Sequence, residues 1–189
     1  MRILALDLAV NTGWALGLAS GSPQVGAQRL KQPREDTEVA PANLARFIRD
    51  ICFIEADRPD LIVYEAAMPL FNGGDGRQRE IRRSHESMVM PGYLVGAVIG
   101  IAACYGIDTL AAWPATWRKH FLGRSNFGDR DETKRQTISR CHLLGYLHPS
   151  CRDDNQADSA GIWDWAAHHR GRRNSGDLAL FDEGRMRHG

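Results

Sequence analysis

Residues 2–19, RILALDLAVNTGWALGLA, decide the fold. Their first half is a continuous apolar run with one acid inside it, Asp7, which is typical of a central strand. Residues 11–13 supply turn chemistry, and residues 14–19 predict a second strand that returns beside the first. A further turn at residues 21–23 precedes a third short strand around residues 24–30. Three strands joined by short turns predict an antiparallel meander.

The following residues predict alternating helices and strands. An amphipathic helix begins at Pro41, because apolar residues recur at helical spacing from Leu44 to Ile54. Residues 60–66, DLIVYEA, form a strand that ends near Glu65 and runs parallel to the first strand through a right-handed crossover. A long helix is predicted over 77–104, and an interruption at Pro91-Gly92 is left open. A strand over 108–113 and a helix from Pro114 to about Gly123 follow. The last two predicted helices are one that is capped by Asp131 and ends near Leu144, and one over 153–169.

This order predicts an α/β fold. Its five-stranded mixed sheet begins with the antiparallel meander and carries helices on both faces. With 189 residues, the chain fits one domain, which is expected over residues 1–169. Residues 170–189 form a C-terminal tail of uncertain structure.

Composition places few limits on function. The apolar share is 43%, the charged share is 25%, and the formal net charge is +1, so a DNA-binding surface requires local clusters of basic residues. The four scattered cysteines predict reduced thiols; a zinc site formed by Cys141, His142, His148 and Cys151 is the less favoured alternative. The apolar residues 93–104 number about a dozen and predict a buried helix, so we expect no membrane segment and a cytoplasmic protein.

Two acids point to catalysis. Asp7 and Glu65 each lie in an apolar strand near the predicted sheet centre, where an unpaired carboxylate costs several kcal/mol. For either acid alone, an ion pair with an arginine at a strand end explains the pattern equally well. Two acids at matching strand positions favour a functional site.

A third acidic group begins the last helix. Asp154 and Asp158 are four residues apart and share one helical face. Asp153 and Asp154 also suit the cap of that helix, whereas Asp158 lies too deep for capping and Asp164 is expected on the solvated surface. Carboxylates converging from two strands and a helix favour hard divalent cations, and two such ions about 4 Å apart would serve phosphodiester hydrolysis.

These residues resemble the RuvC-type Holliday junction resolvases of the RNase H-like superfamily. Five segments occur in the family's order: ILALDLAVNTGWAL (3–16), LIVYEAAM (61–68), GAVIGIAA (96–103), WRKHFLG (117–123) followed by DETKRQT (131–137), and DDNQADSAGIW (153–163). The resemblance implies an RNase H-like nuclease domain over residues 1–169. It also implies an endonuclease that depends on Mg²⁺ or Mn²⁺, acts as a homodimer and nicks branched DNA in symmetric pairs. It implies Asp7, Glu65 and Asp158 as metal ligands. The family's fourth ligand falls on Asn155, and the neighbouring acid Asp154 is our preferred assignment.

Basic residues concentrate in two stretches that suit phosphate contacts. Arg77, Arg79, Arg82 and Arg83 form the first; Arg118, Lys119, Arg124, Lys134 and Arg135 form the main part of the second. A solvated helix face is a serious alternative for the first stretch. Lys134 is the preferred catalytic cation, and Phe71 is a candidate wedge that stacks on an opened junction, although it could equally fold back onto the core.

Further alternatives stay open. An RNase H-like nuclease acting on flaps, hybrids or RNA would share the same acids, and a relative without catalysis would only bind junctions. An actin-like phosphotransferase also begins with the D-x-x-x-x-T-G pattern of residues 7–13, but it requires two such domains. No small-molecule cofactor is expected. We expect Gly96 and Gly100 in core packing, with Met88 and Met90 contributing to a dimer surface.

Overall fold

The computed structural model describes residues 1–66, 85–125 and 127–185. Its elements in chain order are β1 (Arg2–Asp7), β2 (Asn11–Leu18), β3 (Gln24–Arg29), α1 (Val39–Phe53), a short 3-10 turn (Glu55–Asp57), β4 (Leu61–Glu65), α2 (His85–Cys104), β5 (Asp108–Ala112), α3 (Pro114–Leu122), α4 (Arg130–Leu144) and α5 (Asp154–Arg185).

The five strands form one mixed sheet in the order β3-β2-β1-β4-β5. β2 is antiparallel to both β1 and β3, whereas β4 is parallel to β1 and to β5. The predicted meander and parallel crossover are therefore confirmed. β1 is the middle strand, so its last residue, Asp7, lies near the centre of one sheet edge.

The strands divide the core into two layers. Ile3 and Ala5 pack with α3, α4 and α5 on one face, and Leu4 and Leu6 pack with α1 and α2 on the other. Because side chains alternate along a strand, Asp7 continues the row of Ile3 and Ala5. The acid at the end of β1 thus belongs to the face that α5 covers.

Several predicted boundaries are wrong. Residues 11–13 lie inside β2, and the chain turns earlier, where the Thr12 hydroxyl donates to the Ala9 carbonyl oxygen over 2.6 Å. The cap of α4 is Asp129, whose side chain accepts the Asp131 backbone N–H, so Asp131 already lies in the helix. The described part of α2 runs through Pro91 without ending.

α2 is more exposed than its apolar sequence predicts. Met90, Leu94, Val98 and Ala102 recur at helical spacing and are buried against α1 and the sheet. Gly96 and Gly100 are exposed, so their predicted place in the core is wrong, and burial of Met90 removes it from the predicted dimer surface. By length and hydropathy alone, Glu86–Cys104 could cross a membrane, but the core helix of a soluble protein passes the same test. Its buried row belongs to the core described above.

Candidate active site

Asp7 and Glu65 lie side by side at one edge of the sheet. They end β1 and β4, which are parallel neighbours paired as far as Leu6 and Tyr64. Glu65 follows Leu61 and Val63 on the face that α5 covers. Two acids that are 58 positions apart in the chain therefore meet because of the parallel crossover.

The beginning of α5 brings two more acids to this edge. Asp153 caps the helix, since its Oδ1 accepts the backbone N–H of Asn155 over 2.9 Å and that of Gln156 over 3.4 Å. Asp154 and Asp158 follow one turn apart. The capping role considered for Asp154 thus belongs to Asp153 in the structure.

Gly13 allows α5 to come this close. It is the partner of Asp7 in the β1–β2 ladder, and a Cβ atom built on it would lie 1.9 Å from the Asn155 carbonyl oxygen. Only a residue without a side chain lets the helix backbone rest on the strand here. Sequence reasoning treated Gly13 as a turn residue and missed this contact.

The four carboxylates line one open cavity of about 700 Å³. Asn155, Arg118 and Lys134 line it as well, as do residues of the loop before α4. Both candidates for the fourth ligand therefore face the same space. A carboxylate oxygen is the stronger ligand for a hard divalent cation than a neutral amide, which favours Asp154.

Burial and mutual repulsion disfavour ionisation of these acids. Burial, and then the negative charges of Asp158, Glu65 and Asp154, raise the pKa of Asp7 well above its ordinary value. Burial is also the largest cause that raises the pKa of Asp158 to about 7; Glu65 and Asp154 add to it, against the opposing effect of Arg118. The site holds more negative charge than its own cations neutralise.

Two basic side chains enter the acidic cluster. Arg118 Nη2 lies 3.4 Å from Glu65 Oε1 and 4.0 Å from Asp158 Oδ2, and Lys134 forms an ion pair with Asp154. The ion pair with an arginine that was considered as an alternative explanation for each acid therefore exists for Glu65. Among the described residues, Asp7 forms no such ion pair within 4.0 Å.

Trp117 fixes the orientation of Glu65, and sequence reasoning missed it. The indole Nε1 donates to Glu65 Oε1 over 3.1 Å. The Trp117 ring, carried by α3, is fully buried in the core layer that includes α5. A Cβ atom at Gly161 would lie 2.8 Å from the Trp117 ring, so this glycine makes room for it. A tryptophan directly before a basic residue was the available signal, but it does not reveal the partner.

The donor set suits a divalent cation. Four carboxylates offer the oxygen ligands that Mg²⁺ and Mn²⁺ prefer, and a bound cation would relieve the repulsion that raises the pKa values of Asp7 and Asp158. The residues present therefore fit the metal that the resemblance implies.

The predicted DNA-contact residues lie in different surroundings, and two of them line the acidic cavity. Arg118 and Lys134 face the acids, Lys119 is exposed on α3, and Arg124 stacks on the Phe127 ring at 3.9 Å. Arg135 is exposed and pairs with Glu132 at 2.7 Å. The remaining residues of that prediction lie outside the described residues: Phe71, Arg77, Arg79, Arg82 and Arg83.

The alternative zinc site at the cysteines has no support in the structure. All four cysteines are free thiols. The Cys141 Sγ atom donates to the Ala157 carbonyl oxygen over 3.5 Å, and the ring of His142 hydrogen-bonds to the Cys151 carbonyl oxygen over 3.1 Å. In the described part of the chain, the one group of three His, Cys, Asp or Glu side chains whose ligand atoms all lie within 4.8 Å of one another is a different set, His120, Asp164 and His168. The prediction of Asp164 as a solvated acid is wrong, because it is 6% exposed and hydrogen-bonded.

Neutralising Asp158 is expected to stabilise the metal-free protein. The rise of its pKa from 3.8 to about 7 corresponds to roughly 4 kcal/mol at full ionisation, before the part that solvent and Arg118 offset. Because this raised pKa belongs to an acid, the penalty is present above pH 7 and disappears as the pH falls from 7 towards 4. We expect Asp158→Asn to raise the melting temperature in EDTA by about 5 °C at pH 8 and by nothing near pH 4. The exposed acid Asp108 supplies the control Asp108→Asn. Equal effects of the two variants, or a gain confined to low pH, would contradict a penalty that arises from burial and charge repulsion at Asp158.

Comparisons with known proteins agree with this architecture. No protein-family model matches the chain, and no curated protein sequence matches it either. Thermus thermophilus RuvC is similar in structure, with a TM-score of 0.60, 18% identity, and coverage of 90% of this chain and 96% of RuvC. RuvC of the same organism in complex with a Holliday junction substrate gives a TM-score of 0.63 at 17% identity, covering 88% of this chain and 93% of that one.

The yeast mitochondrial Holliday junction resolvase Ydc2 is more distant. It gives a TM-score of 0.52 at 16% identity, covering 94% of this chain and 83% of Ydc2. Identities this low carry information about the fold and not about activity. The comparisons confirm the resemblance seen in the sequence: the chain has the RNase H-like α/β fold of the RuvC-type resolvases.

Proposed function

We propose that the chain is a structure-selective DNA endonuclease that resolves four-way junctions by metal-dependent phosphodiester hydrolysis. The main support for this proposal is that Asp7, Glu65, Asp154 and Asp158 line one open cavity. Their excess negative charge suits cations, and the similarity in fold to resolvases points to a branched DNA substrate. A DNA substrate inside the cell agrees with the predicted cytoplasmic location.

The four acids would hold Mg²⁺ or Mn²⁺, with two ions as the preferred number. Ions bound there would lower the pKa of a water molecule and stabilise the leaving oxygen. Glu65 is held for this role by the Trp117 indole, and Asp154 and Asp158 by the capped helix α5. The chain thus presents its ligands from rigid elements, which keeps their geometry fixed.

Arg118 and Lys134 would contact the scissile strand. Both side chains already lie against the acids, at the mouth of the same cavity. When divalent cations bind the carboxylates, Arg118 and Lys134 lose their acidic partners and can neutralise phosphate oxygens instead. Lys134 is the preferred catalytic cation, and exposed Lys119 extends the positive surface along α3.

The exposed side of α2 is the proposed homodimer surface. Tyr93 and Ile99 are exposed on it, and a Cβ atom at Gly92, Gly96 or Gly100 would meet nothing within 4 Å. An apolar helix face with small residues lets a second helix approach closely. A second copy of the chain would cover this surface and bring two active sites to one junction, as paired nicks require.

A charge on this surface is expected to prevent dimerisation. Ile99 is 45% exposed, and Ile99→Arg would bury an unpaired charge in the dimer at a cost of a few kcal/mol. Sedimentation velocity is expected to show a dimer for the wild-type chain and a monomer for Ile99→Arg. Phe53→Arg is the matched control, because Phe53 is 84% exposed at the end of α1. A dimer that persists in Ile99→Arg, or is lost equally in Phe53→Arg, would refute this surface.

The proposed activity is tested with three DNA substrates. A synthetic four-way junction, a flap and a linear duplex are each incubated with the protein, with Mg²⁺ or with EDTA. The proposal predicts Mg²⁺-dependent cutting of the junction by paired symmetric nicks and little cutting of the duplex. Equal cutting of all three would support a less selective RNase H-like nuclease, and junction binding without cutting in Mg²⁺ or Mn²⁺ would support a junction binder. Either outcome would overturn the proposal.

A further inference from the structure

A second group of potential metal ligands lies away from the four acids. His120 is in α3, and Asp164 and His168 are four residues apart in α5, so one turn of helix places both on one face. Their ligand atoms all lie within 4.8 Å of one another. His120 is two positions beyond Arg118, which turns it to nearly the opposite side of α3 from the acidic cavity.

The spacing of these atoms matches a tetrahedral ion. Zinc-to-ligand bonds of about 2.0–2.1 Å in tetrahedral geometry place neighbouring ligand atoms ~3.3 Å apart. Asp164 Oδ2 lies 2.9 Å from His120 Nε2 and 3.6 Å from His168 Nδ1. The two distances bracket the required value, so small side-chain rotations suffice.

The carboxylate is held ready for this role. The Tyr146 hydroxyl donates to Asp164 Oδ1 over 2.7 Å, which leaves Oδ2 turned towards both histidines. A hydrogen bond to the outer oxygen of a ligating carboxylate is a common orienting contact in metal sites. Asp164 is buried, whereas the His168 side chain is 49% exposed, so a water molecule can reach the fourth position.

We propose that His120, Asp164 and His168 form a binding site for Zn²⁺ or a similar nitrogen-preferring transition metal. Two imidazoles and one carboxylate are a ligand set that zinc accepts and that Mg²⁺, which prefers oxygen, does not. Coordination of the metal by His168 Nδ1 replaces the hydrogen bond of 2.9 Å that this atom makes with the Asp164 backbone carbonyl oxygen. The ion joins α3 to α5.

A metal at this site would connect two helices that carry residues of the acidic cavity. α3 carries Trp117 and Arg118, which contact Glu65, and α5 carries Asp158. A metal that ties the end of α3 to the middle of α5 holds both helices in their positions around the acidic cavity. The site takes no part in the chemistry of that cavity, and its occupancy does not depend on the proposed nuclease activity.

Thermal unfolding with and without Zn²⁺, in the presence of Mg²⁺, tests the proposal. With Zn²⁺ at about 100-fold over its Kd, and Mg²⁺ in excess to occupy the acidic cavity, the melting temperature of the wild-type protein is expected to rise by about 5–10 °C. His168→Ala removes an exposed ligand and is expected to abolish the rise. His148→Ala is the control, since His148 is exposed and lies outside the group.

Substitution with Co²⁺ gives a second reading that does not depend on stability. A tetrahedral cobalt site with imidazole ligands is expected to give visible d–d absorption in the wild-type protein and in His148→Ala, and none in His168→Ala. A zinc-induced rise or cobalt spectrum that persists in His168→Ala would overturn the proposal, as would no zinc response in the wild-type protein. These outcomes are distinct from failure of the nuclease proposal, because neither measurement involves DNA.

Discussion

Replacement of Asp7 by asparagine is expected to lower junction cleavage at least ~10³-fold while leaving junction binding intact. Asp7 lies at the end of the middle strand, and the three other acids all raise its pKa. Removal of its charge weakens the hold on any cation in the cavity. DNA contacts are proposed for basic residues such as Lys119 and Lys134, which the substitution does not touch.

The measurement is a pair of assays on one synthetic junction: cleavage in Mg²⁺, and a gel-shift titration in Ca²⁺ or EDTA. Asp108→Asn is the matched control, because Asp108 begins β5 at the opposite end of the strands from Glu65. Cleavage by Asp7→Asn within tenfold of the wild type would exclude a catalytic role for this acid. Loss of binding and cleavage together would indicate that Asp7 is structural.

Gly13→Ala is expected to lower cleavage about 100-fold through backbone displacement alone. The new methyl group would lie 1.9 Å from the Asn155 carbonyl oxygen, so the start of α5 must move by more than 1 Å. Because Asp154 and Asp158 are carried by this helix, their distance from Asp7 and Glu65 increases. A misplacement of about 1 Å in a catalytic group costs on the order of 100-fold in rate.

Gly21→Ala controls for the loss of a glycine in the same sheet region. A Cβ atom at Gly21 would lie 3.7 Å from the Leu18 carbonyl oxygen, which is an ordinary contact. The free energy of unfolding of Gly13→Ala is expected to fall by about 1–3 kcal/mol, as for other overpacked sites. Circular dichroism separates misplacement from unfolding. Wild-type cleavage by a folded Gly13→Ala protein would show that α5 need not approach β2 so closely.

The fold and the principal acids could be predicted because their signals are local. Acids at matching positions inside two apolar strands, as at Asp7 and Glu65, are rare enough to indicate a functional site. Asp158 is placed by helical periodicity relative to Asp154. Each of these inferences needs only neighbouring residues and the order of strands.

The errors arise where the deciding contact comes from elsewhere in the chain. Asp164 has the pattern of a surface acid, but it is buried and forms hydrogen bonds with His120 from α3 and with Tyr146, which follows α4. Gly13 looks like a turn residue because the helix that presses on it begins more than 140 positions later. The apolar sequence of α2 does not reveal which of its faces the sheet covers.

The fourth ligand also depends on tertiary geometry. Asp154 and Asn155 both line the cavity. Asp154 is distinguished by its carboxylate, by its ion pair with Lys134 and by its electrostatic effect on the pKa of Asp158. The predicted contacts of Phe71 and of the arginines at 77–83 stay predictions, since these residues lie outside the described part of the chain.

Metal binding by the four acids is measured most directly in a crystal structure of the protein soaked with Mn²⁺, read by anomalous diffraction. We expect one or two anomalous peaks in the acidic cavity, each about 2.0–2.3 Å from carboxylate oxygens of Asp7, Glu65, Asp154 or Asp158. Peaks that avoid these side chains, or a cavity without any peak at saturating Mn²⁺, would contradict it.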